Sequence, residues 1–262
     1  MTRAAAALAL LLAAATAPAH AALTAAQLAE IEANPAPGAQ LPLATALHDQ
    51  NDRPLRLVDA LAGRPALLMF ADYTCRTLCG PVIEMAGDAL RQSGLQPGRD
   101  FRMIVIGLDP KDGPALAKTM EATQLAGAPE VAAAAAFLGG DAAAVGAVTA
   151  AAGYRYVYDR DNDQFAHPNV VMAVTAGGRI ARTLSGLGLT GTDVRLALIE
   201  AGQGKIGGLT DRLRLLCYGF DPAQGIYTAR IVDWLRWAGA FSVVALAGAV
   251  VVMQRRSRGR AS

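Results

Sequence analysis

The chain of 262 residues has few of the residues that usually mark a functional site. It contains three cysteines, three histidines and two tryptophans, and aromatic residues make up 5% of it. Three cysteines are few, and an odd number cannot all pair within the chain, which argues against a disulfide-stabilised scaffold. Basic clusters are also scarce in the middle of the chain, because residues 22–230 carry 18 Lys and Arg against 21 Asp and Glu. We therefore predict no nucleic-acid partner.

Residues 1–21 are predicted to be a secretory signal peptide. Arg3 supplies a positive start, residues 4–15 form a short apolar run, and Ala19-His20-Ala21 fits the small-x-small cleavage pattern. A buried N-terminal helix is the alternative. Export would carry the domain that follows out of the cytoplasm.

The C-terminal end contains the longest apolar run. Residues 238–253 carry no charge, and Trp234 and Trp237 precede them. At about 1.5 Å per residue, a helix over residues 234–254 would span the ~30 Å hydrocarbon core. The arginines that follow predict a cytoplasmic tail over residues 255–262. The expected topology is a single pass through the cell inner membrane with the main domain in the periplasm; an amphipathic surface helix is the alternative.

One α/β domain is predicted over residues 43–204, after a lead-in segment over 22–42 and before a juxtamembrane segment over 205–233. Short apolar runs at Ala66–Phe70 and Phe101–Leu108 are typical of buried central strands, and a helix is predicted after each. A short strand is also expected at residues 55–57.

The second half of the domain continues the alternation of strands and helices. Residues 131–138 are ambiguous between helix and strand, whereas Tyr154–Tyr158 and Val170–Val174 are predicted strands. A hairpin at residues 176–178 leads into a further strand, and Thr192 or Asp193 is expected to cap a last helix. This order predicts a thioredoxin-like fold.

Cys75 and Cys79 directly follow the first apolar strand, with three residues between them. If this segment is helical, side chains at i and i+4 share a face, where two thiols can form a disulfide or bind one metal ion. A helix N-terminus and the neighbouring Arg76 favour the thiolate, which either role requires.

A metal site at this pair would need a third ligand. Two thiolates are soft ligands that select Cu(I), and one imidazole completes a three-coordinate set, whereas four-coordinate zinc requires another ligand. After signal-peptide removal, two histidines remain: His48 in a polar stretch and His167 between an acidic loop and a strand. On spacing alone, His167 is as readily a loop histidine as a ligand, and His48 fits a solvated surface residue better.

Three motifs of the chain resemble the Sco/SenC family, which comprises copper-binding, thioredoxin-like assembly factors for cytochrome c oxidase. Tyr73-Thr74-Cys75-x-x-x-Cys79-x-Pro81 resembles the family signature. Residues 108–112 are similar to its Asp-Pro-x-x-Asp segment, and residues 137–140 to its Leu-Thr-Gly segment. The resemblance covers residues 40–202, with the motifs in the family's order.

The resemblance implies that His167 joins Cys75 and Cys79 as a copper ligand. The bound metal would be Cu(I), with Cu(II) as a second state. It implies a metallochaperone, and not an enzyme, whose partner is the copper-bearing subunit of cytochrome c oxidase or another cuproprotein. The alternative is a thiol-disulfide oxidoreductase in which the two cysteines cycle between dithiol and disulfide. A peroxidase fits the three-residue spacing less well.

The chain departs from the family pattern around the cysteines and at its C-terminal end. Arg76 and Gly80 stand where the family commonly has proline, and the C-terminal membrane helix is similar to that of a bacterial branch. Residues 216–222 resemble a juxtamembrane segment of this branch, with Gly219 where histidine is expected. Cys217 in this segment has three alternative roles: a spare metal ligand, a partner in an intermolecular disulfide, or a buried thiol.

Four further residues near the motifs are expected to support the site, not to act in it. Two precede the cysteine pair, and the two in the Asp-Pro-x-x-Asp segment either cap helices or brace the cysteine loop. They are Asp72, Tyr73, Asp109 and Asp112.

Overall fold

The computed structural model describes residues 23–203, 218–221, 226–229 and 241–242. The predicted signal peptide, Cys217 and all of the predicted membrane helix except Phe241 and Ser242 lie outside these residues. Within the described part of the chain, no helix is long and apolar enough to cross a membrane.

The described elements alternate between strands and helices for most of the chain. In chain order they are α1 (Ala25–Ala29), β1 (Glu32–Ala33), β2 (Ala46–His48), β3 (Pro54–Arg56), α2 (Leu57–Leu61), β4 (Ala66–Ala71), α3 (Cys79–Gln92), β5 (Arg102–Gly107), α4 (Pro114–Gln124), α5 (Pro129–Ala132), β6 (Ala135–Leu138), α6 (Ala142–Ala151), β7 (Tyr154–Arg155), β8 (Val157–Asp159), β9 (Gln164–Ala166), β10 (Val170–Val174), β11 (Ile180–Ser185), α7 (Gly191–Ala201), β12 (Tyr218–Asp221) and β13 (Ile226–Ala229).

A five-stranded sheet in the order β11-β10-β4-β5-β6 forms the centre of the domain. Strands β4, β5 and β6 are parallel, and β10 joins β4 antiparallel. Successive side chains of β4 point to opposite faces, so Leu67 and Met69 pack in one core with α3 and α7. Leu68 and Phe70 pack in a second core with α2 and α6. This strand order, with β10 antiparallel to β4 and a helix-covered core on each face, confirms the predicted thioredoxin-like α/β fold.

The ambiguous segment 131–138 divides into a helix and a strand. Helix α5 ends at Ala132, and β6 begins at Ala135 and pairs in parallel with β5 from Met103. The alanine run favours helix by intrinsic propensity. Pairing with β5 and burial of Phe137 override that preference for the second half of the run.

Three predicted boundaries are wrong. The predicted strand 154–158 is divided at Tyr156 because β7 pairs with β1 whereas β8 pairs with β9. The strand expected at residues 55–57 ends at Arg56, since Leu57 already begins α2. Thr190 caps α7 in place of Thr192 or Asp193: its hydroxyl accepts from the Asp193 backbone N–H, and the Asp193 carboxylate accepts from the Thr190 N–H.

Candidate metal centre

The segment that carries the two cysteines joins the end of β4 to the start of α3. The first helical hydrogen bond runs from the Val82 N–H to the Leu78 carbonyl at 3.0 Å, so α3 begins at Cys79. Pro81 has no N–H and therefore fits the first turn, where no donor is needed. Cys75 lies before the helix, in a turn where its N–H donates to the Asp72 carbonyl at 3.1 Å. The helical i, i+4 arrangement considered from the sequence is therefore absent.

The two thiols have different environments. Cys75 is half-buried, whereas Cys79 is 4% exposed. The neighbouring Cys79 side chain lowers the pKa of Cys75 to about 4, and Thr77 adds to this effect from 3.4 Å. The interaction with Cys75 and burial raise the pKa of Cys79 well above its usual range. At neutral pH, Cys75 is therefore the thiolate and Cys79 the thiol, and neither forms a disulfide.

His167 reaches the cysteines from a separate part of the chain. It directly follows β9, which pairs antiparallel with β8. His167 Nε2 lies 3.0 Å from Cys79 Sγ. The other ring nitrogen, Nδ1, lies 2.8 Å from the Tyr154 hydroxyl and 3.1 Å from the Pro168 carbonyl.

Asp72 links the cysteine segment to the histidine segment. One carboxylate oxygen accepts from the Thr74 N–H and hydroxyl at 2.8 and 2.7 Å. The other accepts from the Phe165 N–H at 2.9 Å, two residues before His167. Asp72 is 1% exposed, so these partners satisfy a carboxylate that water does not reach.

The other three residues expected to support the site are Tyr73, Asp112 and Asp109. The Tyr73 N–H donates to Asp112 Oδ2 at 3.0 Å, and its hydroxyl donates to the carbonyls of Val105 and Leu138. Burial and the charge of Asp72 raise the pKa of Asp112 to about 6. Asp109 is more exposed and accepts from the Lys111 N–H in its own turn.

A groove of about 380 Å³ opens at the cysteines, lined in part by Cys75, Leu78, Cys79 and His167. A larger cleft of about 650 Å³ lies at the opposite end of β4, beside residues 63–65. We assign the site to the smaller groove because the residues lining the larger cleft include no cysteine or histidine. Cavity volume alone would have pointed to the larger cleft, at the end of β4 away from the cysteines.

His48 lies outside the lining of this groove in the described part of the chain. Its backbone pairs with Gly139, and its ring lies over that glycine so closely that a Cβ there would stand 2.5 Å from Nε2. His48 is not a lining residue of the cysteine groove. The structure thus brings His167, and not His48, to the cysteines.

Cys75, Cys79 and His167 are not arranged around a common point at which a metal ion could bind. Among the described residues, no three His, Cys, Asp or Glu side chains have a geometry that could hold a metal. Instead, Cys79 Sγ lies 3.0 Å from His167 Nε2, where a hydrogen bond and not a shared ion joins the two side chains. Tyr154, whose sequence pattern predicts only a strand residue, also belongs to this arrangement through the contact of its hydroxyl with His167.

A thioredoxin-like domain with a thiolate, a buried thiol and an imidazole at one end of its sheet defines a class of thiol-based redox or metal proteins. Within this class, the chain belongs to the SCO1/SenC family, whose profile matches residues 44–195, more than half of the chain. The predicted Sco/SenC resemblance is confirmed.

Solved structures show a likeness of fold. A protein of Aquifex aeolicus VF5 assigned to electron transfer has a TM-score of 0.56 at 21% identity, covering 64% of this chain and 95% of its own. A second protein from that organism, assigned to electron transport, has a TM-score of 0.54 at 20% identity, covering 64% and 99%. Copper-bound ScoI of Bradyrhizobium japonicum has a TM-score of 0.47 at 22% identity, covering 64% and 99%. No curated protein matches the sequence.

Proposed function

We propose that this protein is a membrane-anchored copper chaperone of the periplasm. Cys75, Cys79 and His167 would bind copper, and the protein would deliver it to a copper centre of cytochrome c oxidase during assembly. The observation that supports this most directly is the 3.0 Å contact between Cys79 Sγ and His167 Nε2, across 88 residues of sequence. This contact adds an imidazole to a cysteine pair in a member of the SCO1/SenC family.

The donor set fits copper as cargo. Cys75 supplies a thiolate already at neutral pH, because its pKa is lowered to about 4. Cys79 keeps its proton, so binding to both sulfurs releases that proton and depends on pH. An ion would then take the place of the hydrogen bond between Cys79 and His167. Two sulfurs and one nitrogen favour Cu(I) over hard cations.

Transfer would occur by ligand exchange at the more accessible thiolate. Cys75 is half-buried and lines the open groove, whereas Cys79 is enclosed. An incoming cysteine or histidine of the copper-bearing oxidase subunit, or of another cuproprotein, would therefore displace Cys75 first.

The proposed location rests on the sequence of the two ends. Residues 1–21 would direct export, and residues 234–254 would hold the protein in the inner membrane with residues 255–262 in the cytoplasm. The segments 22–42 and 205–233 would connect the domain over residues 43–204 to these ends.

Competition with a chelator of known Cu(I) affinity tests the three ligands. The purified, reduced full-length protein is compared with Cys75→Ser, Cys79→Ser and His167→Ala, with His48→Ala as the matched histidine control. We expect one tightly held copper in the parent and in His48→Ala. Each cysteine variant should lose more than about a hundredfold in affinity, since loss of a ligand exceeds the 10–100-fold typical of its hydrogen-bond partners. Parental binding by His167→Ala would refute the three-ligand set.

One observation favours a second function, thiol-disulfide exchange with partner cysteines. An accessible thiolate beside a buried thiol is the arrangement of an attacking and a resolving cysteine. Cys75 would attack a partner disulfide, forming a mixed disulfide and releasing one partner thiolate. Cys79, once deprotonated, would attack the Cys75 sulfur and release the second, leaving the partner reduced and this pair oxidised.

The two functions differ in whether they require His167. Reduction of a disulfide-bonded model peptide should survive in His167→Ala and fail in both cysteine variants. Absence of competitive copper binding in the parent, with both thiols intact, together with peptide reduction would leave the oxidoreductase as the function.

A further inference from the structure

Tyr154 is a buried tyrosine whose hydroxyl faces His167. Its exposure is 3%, and its ring packs on Phe70 with centroids 4.5 Å apart. The hydroxyl lies 2.8 Å from His167 Nδ1 and donates to the Pro168 carbonyl at 2.8 Å. Nδ1 is itself 3.1 Å from that carbonyl. Three polar atoms therefore meet behind the imidazole, on the side away from the cysteines.

The protons available to these three atoms select one form of the neutral imidazole. A carbonyl oxygen only accepts, and a tyrosine hydroxyl has one proton to donate. If Nδ1 carries a proton, it donates to the hydroxyl and the hydroxyl donates to Pro168, so every group is satisfied. If Nδ1 lacks a proton, the single hydroxyl proton must serve both Nδ1 and the carbonyl, and one partly buried acceptor loses its partner.

We propose that Tyr154 is a positioning residue that holds His167 in the Nδ1–H form and so directs the Nε2 lone pair at Cys79 Sγ. A ring nitrogen needs a free lone pair to bind a metal ion or to accept a thiol proton, and its partner at the other nitrogen decides which nitrogen has one. The copper part of this inference rests on the proposed function; the state of the imidazole in the metal-free protein does not.

Nitrogen-15 NMR of the histidine rings tests the imidazole directly. The full-length, reduced, metal-free protein is labelled at histidine and compared with Tyr154→Phe, with Tyr156→Phe as the matched control that loses a neighbouring hydroxyl. Spectra are taken at pH 9, well above the ordinary histidine pKa of about 6.5. We expect a protonated Nδ1 and an unprotonated Nε2 for His167 in the parent and in Tyr156→Phe, and a mixture of both forms in Tyr154→Phe.

Cu(I) competition on the same three proteins tests the consequence. Tyr154→Phe should bind copper about tenfold more weakly, the low end of the range for a hydrogen-bond partner of a ligand, because the Pro168 carbonyl can still accept from Nδ1. Tyr156→Phe should bind like the parent. A thermal melt of each variant checks that the fold is retained.

The outcomes distinguish this inference from the proposed function. A parent with the proton on Nε2, or a Tyr154→Phe variant with the parental spectrum, overturns the role of Tyr154 whatever the copper result. A mixed spectrum with unchanged copper affinity overturns its importance for binding. A parent that binds no copper but shows the expected spectra removes the proposed function and leaves the positioning of His167 intact.

Discussion

The two segments that meet at the site are held by different forces. The cysteine segment, residues 72–79, connects β4 to α3, and both Tyr73 and Cys79 belong to the hydrophobic core. The histidine segment, residues 164–169, extends from the two-stranded β8–β9 sheet, and all of its residues are half-buried. Apolar packing therefore fixes the cysteines in the fold to a much greater extent than it fixes the histidine.

Directed polar contacts join the histidine segment to the cysteines. They include the bond from the Phe165 N–H to Asp72 and the contacts of His167 with Cys79 and Tyr154. Hydrophobic burial is roughly proportional to area and has no direction, whereas a hydrogen bond depends on one pair of atoms. Conservative substitutions should therefore disturb the histidine more easily than the thiol pair.

The largest effect is expected where the cysteine segment enters the core. Tyr73→Ala removes a buried ring and should lower the free energy of unfolding by about 3–5 kcal/mol, which is typical of deleting a buried aromatic side chain. Urea unfolding measures this loss. Tyr73→Phe keeps the ring and loses only the hydroxyl, so it should cost about 1 kcal/mol. Equal stability of Tyr73→Ala and the parent would show that the core does not anchor this segment.

A smaller effect is expected at the link between the segments. Asp72→Asn leaves one acceptor oxygen where the carboxylate has two, so Thr74 or Phe165 loses its partner at a cost of about 1–3 kcal/mol. We expect faster amide hydrogen exchange at Thr74 or Phe165 and weaker Cu(I) binding, with peptide disulfide reduction retained. Asp109→Asn is the control, because Asp109 bonds within its own turn. Unchanged exchange at both amides would remove Asp72 as the link.

The buried carboxyl behind Tyr73 should make stability depend on pH. The pKa of Asp112 is raised to about 6 from an ordinary 3.8, mainly by burial, so the folded protein holds this proton more tightly than the unfolded chain. Its contribution to the free energy of unfolding therefore falls as pH rises from about 4 to 6 and stays low above that range. Asp112→Asn should gain stability relative to the parent at pH 7, by less than about 3 kcal/mol, and little at pH 4.

Denaturant unfolding at four pH values between 4 and 7.5 measures the Asp112 effect as a difference between variant and parent. Taking the difference cancels the other titrating groups that the two proteins share. A difference independent of pH would contradict the raised pKa.

The smallest effect on the fold is expected at the thiols, where only reactivity should change. With the pKa of Cys75 near 4, its alkylation rate should stay constant from pH 8 to about 5 and fall near pH 4. In Cys79→Ala, the pKa of Cys75 should rise, because the Cys79 side chain is the largest cause of its lowering. Peptide mapping by mass spectrometry separates Cys75 from Cys217. An unchanged profile in Cys79→Ala would show that Cys79 does not set the pKa of Cys75.

Local sequence patterns determined the elements around the site. The apolar run at Ala66–Phe70 predicted the buried strand β4, which extends one residue further. Asp141, directly before an alanine-rich run, caps α6 because its carboxylate accepts from the Ala144 N–H at 2.8 Å. These features depend on residues within a few positions of each other, so the chain specifies them without help from distant segments.

Only the tertiary structure decided how the site residues divide their roles. The sequence shows two equivalent cysteines, and the difference between a half-buried thiolate and a buried thiol arises because Pro81 and the core place Cys79, and not Cys75, inside α3. The contact of Cys79 with His167 joins positions 88 apart, and that of Asp72 with Phe165 joins positions 93 apart. Such contacts depend on how β4, β9 and α3 pack, and no spacing along the chain records that packing.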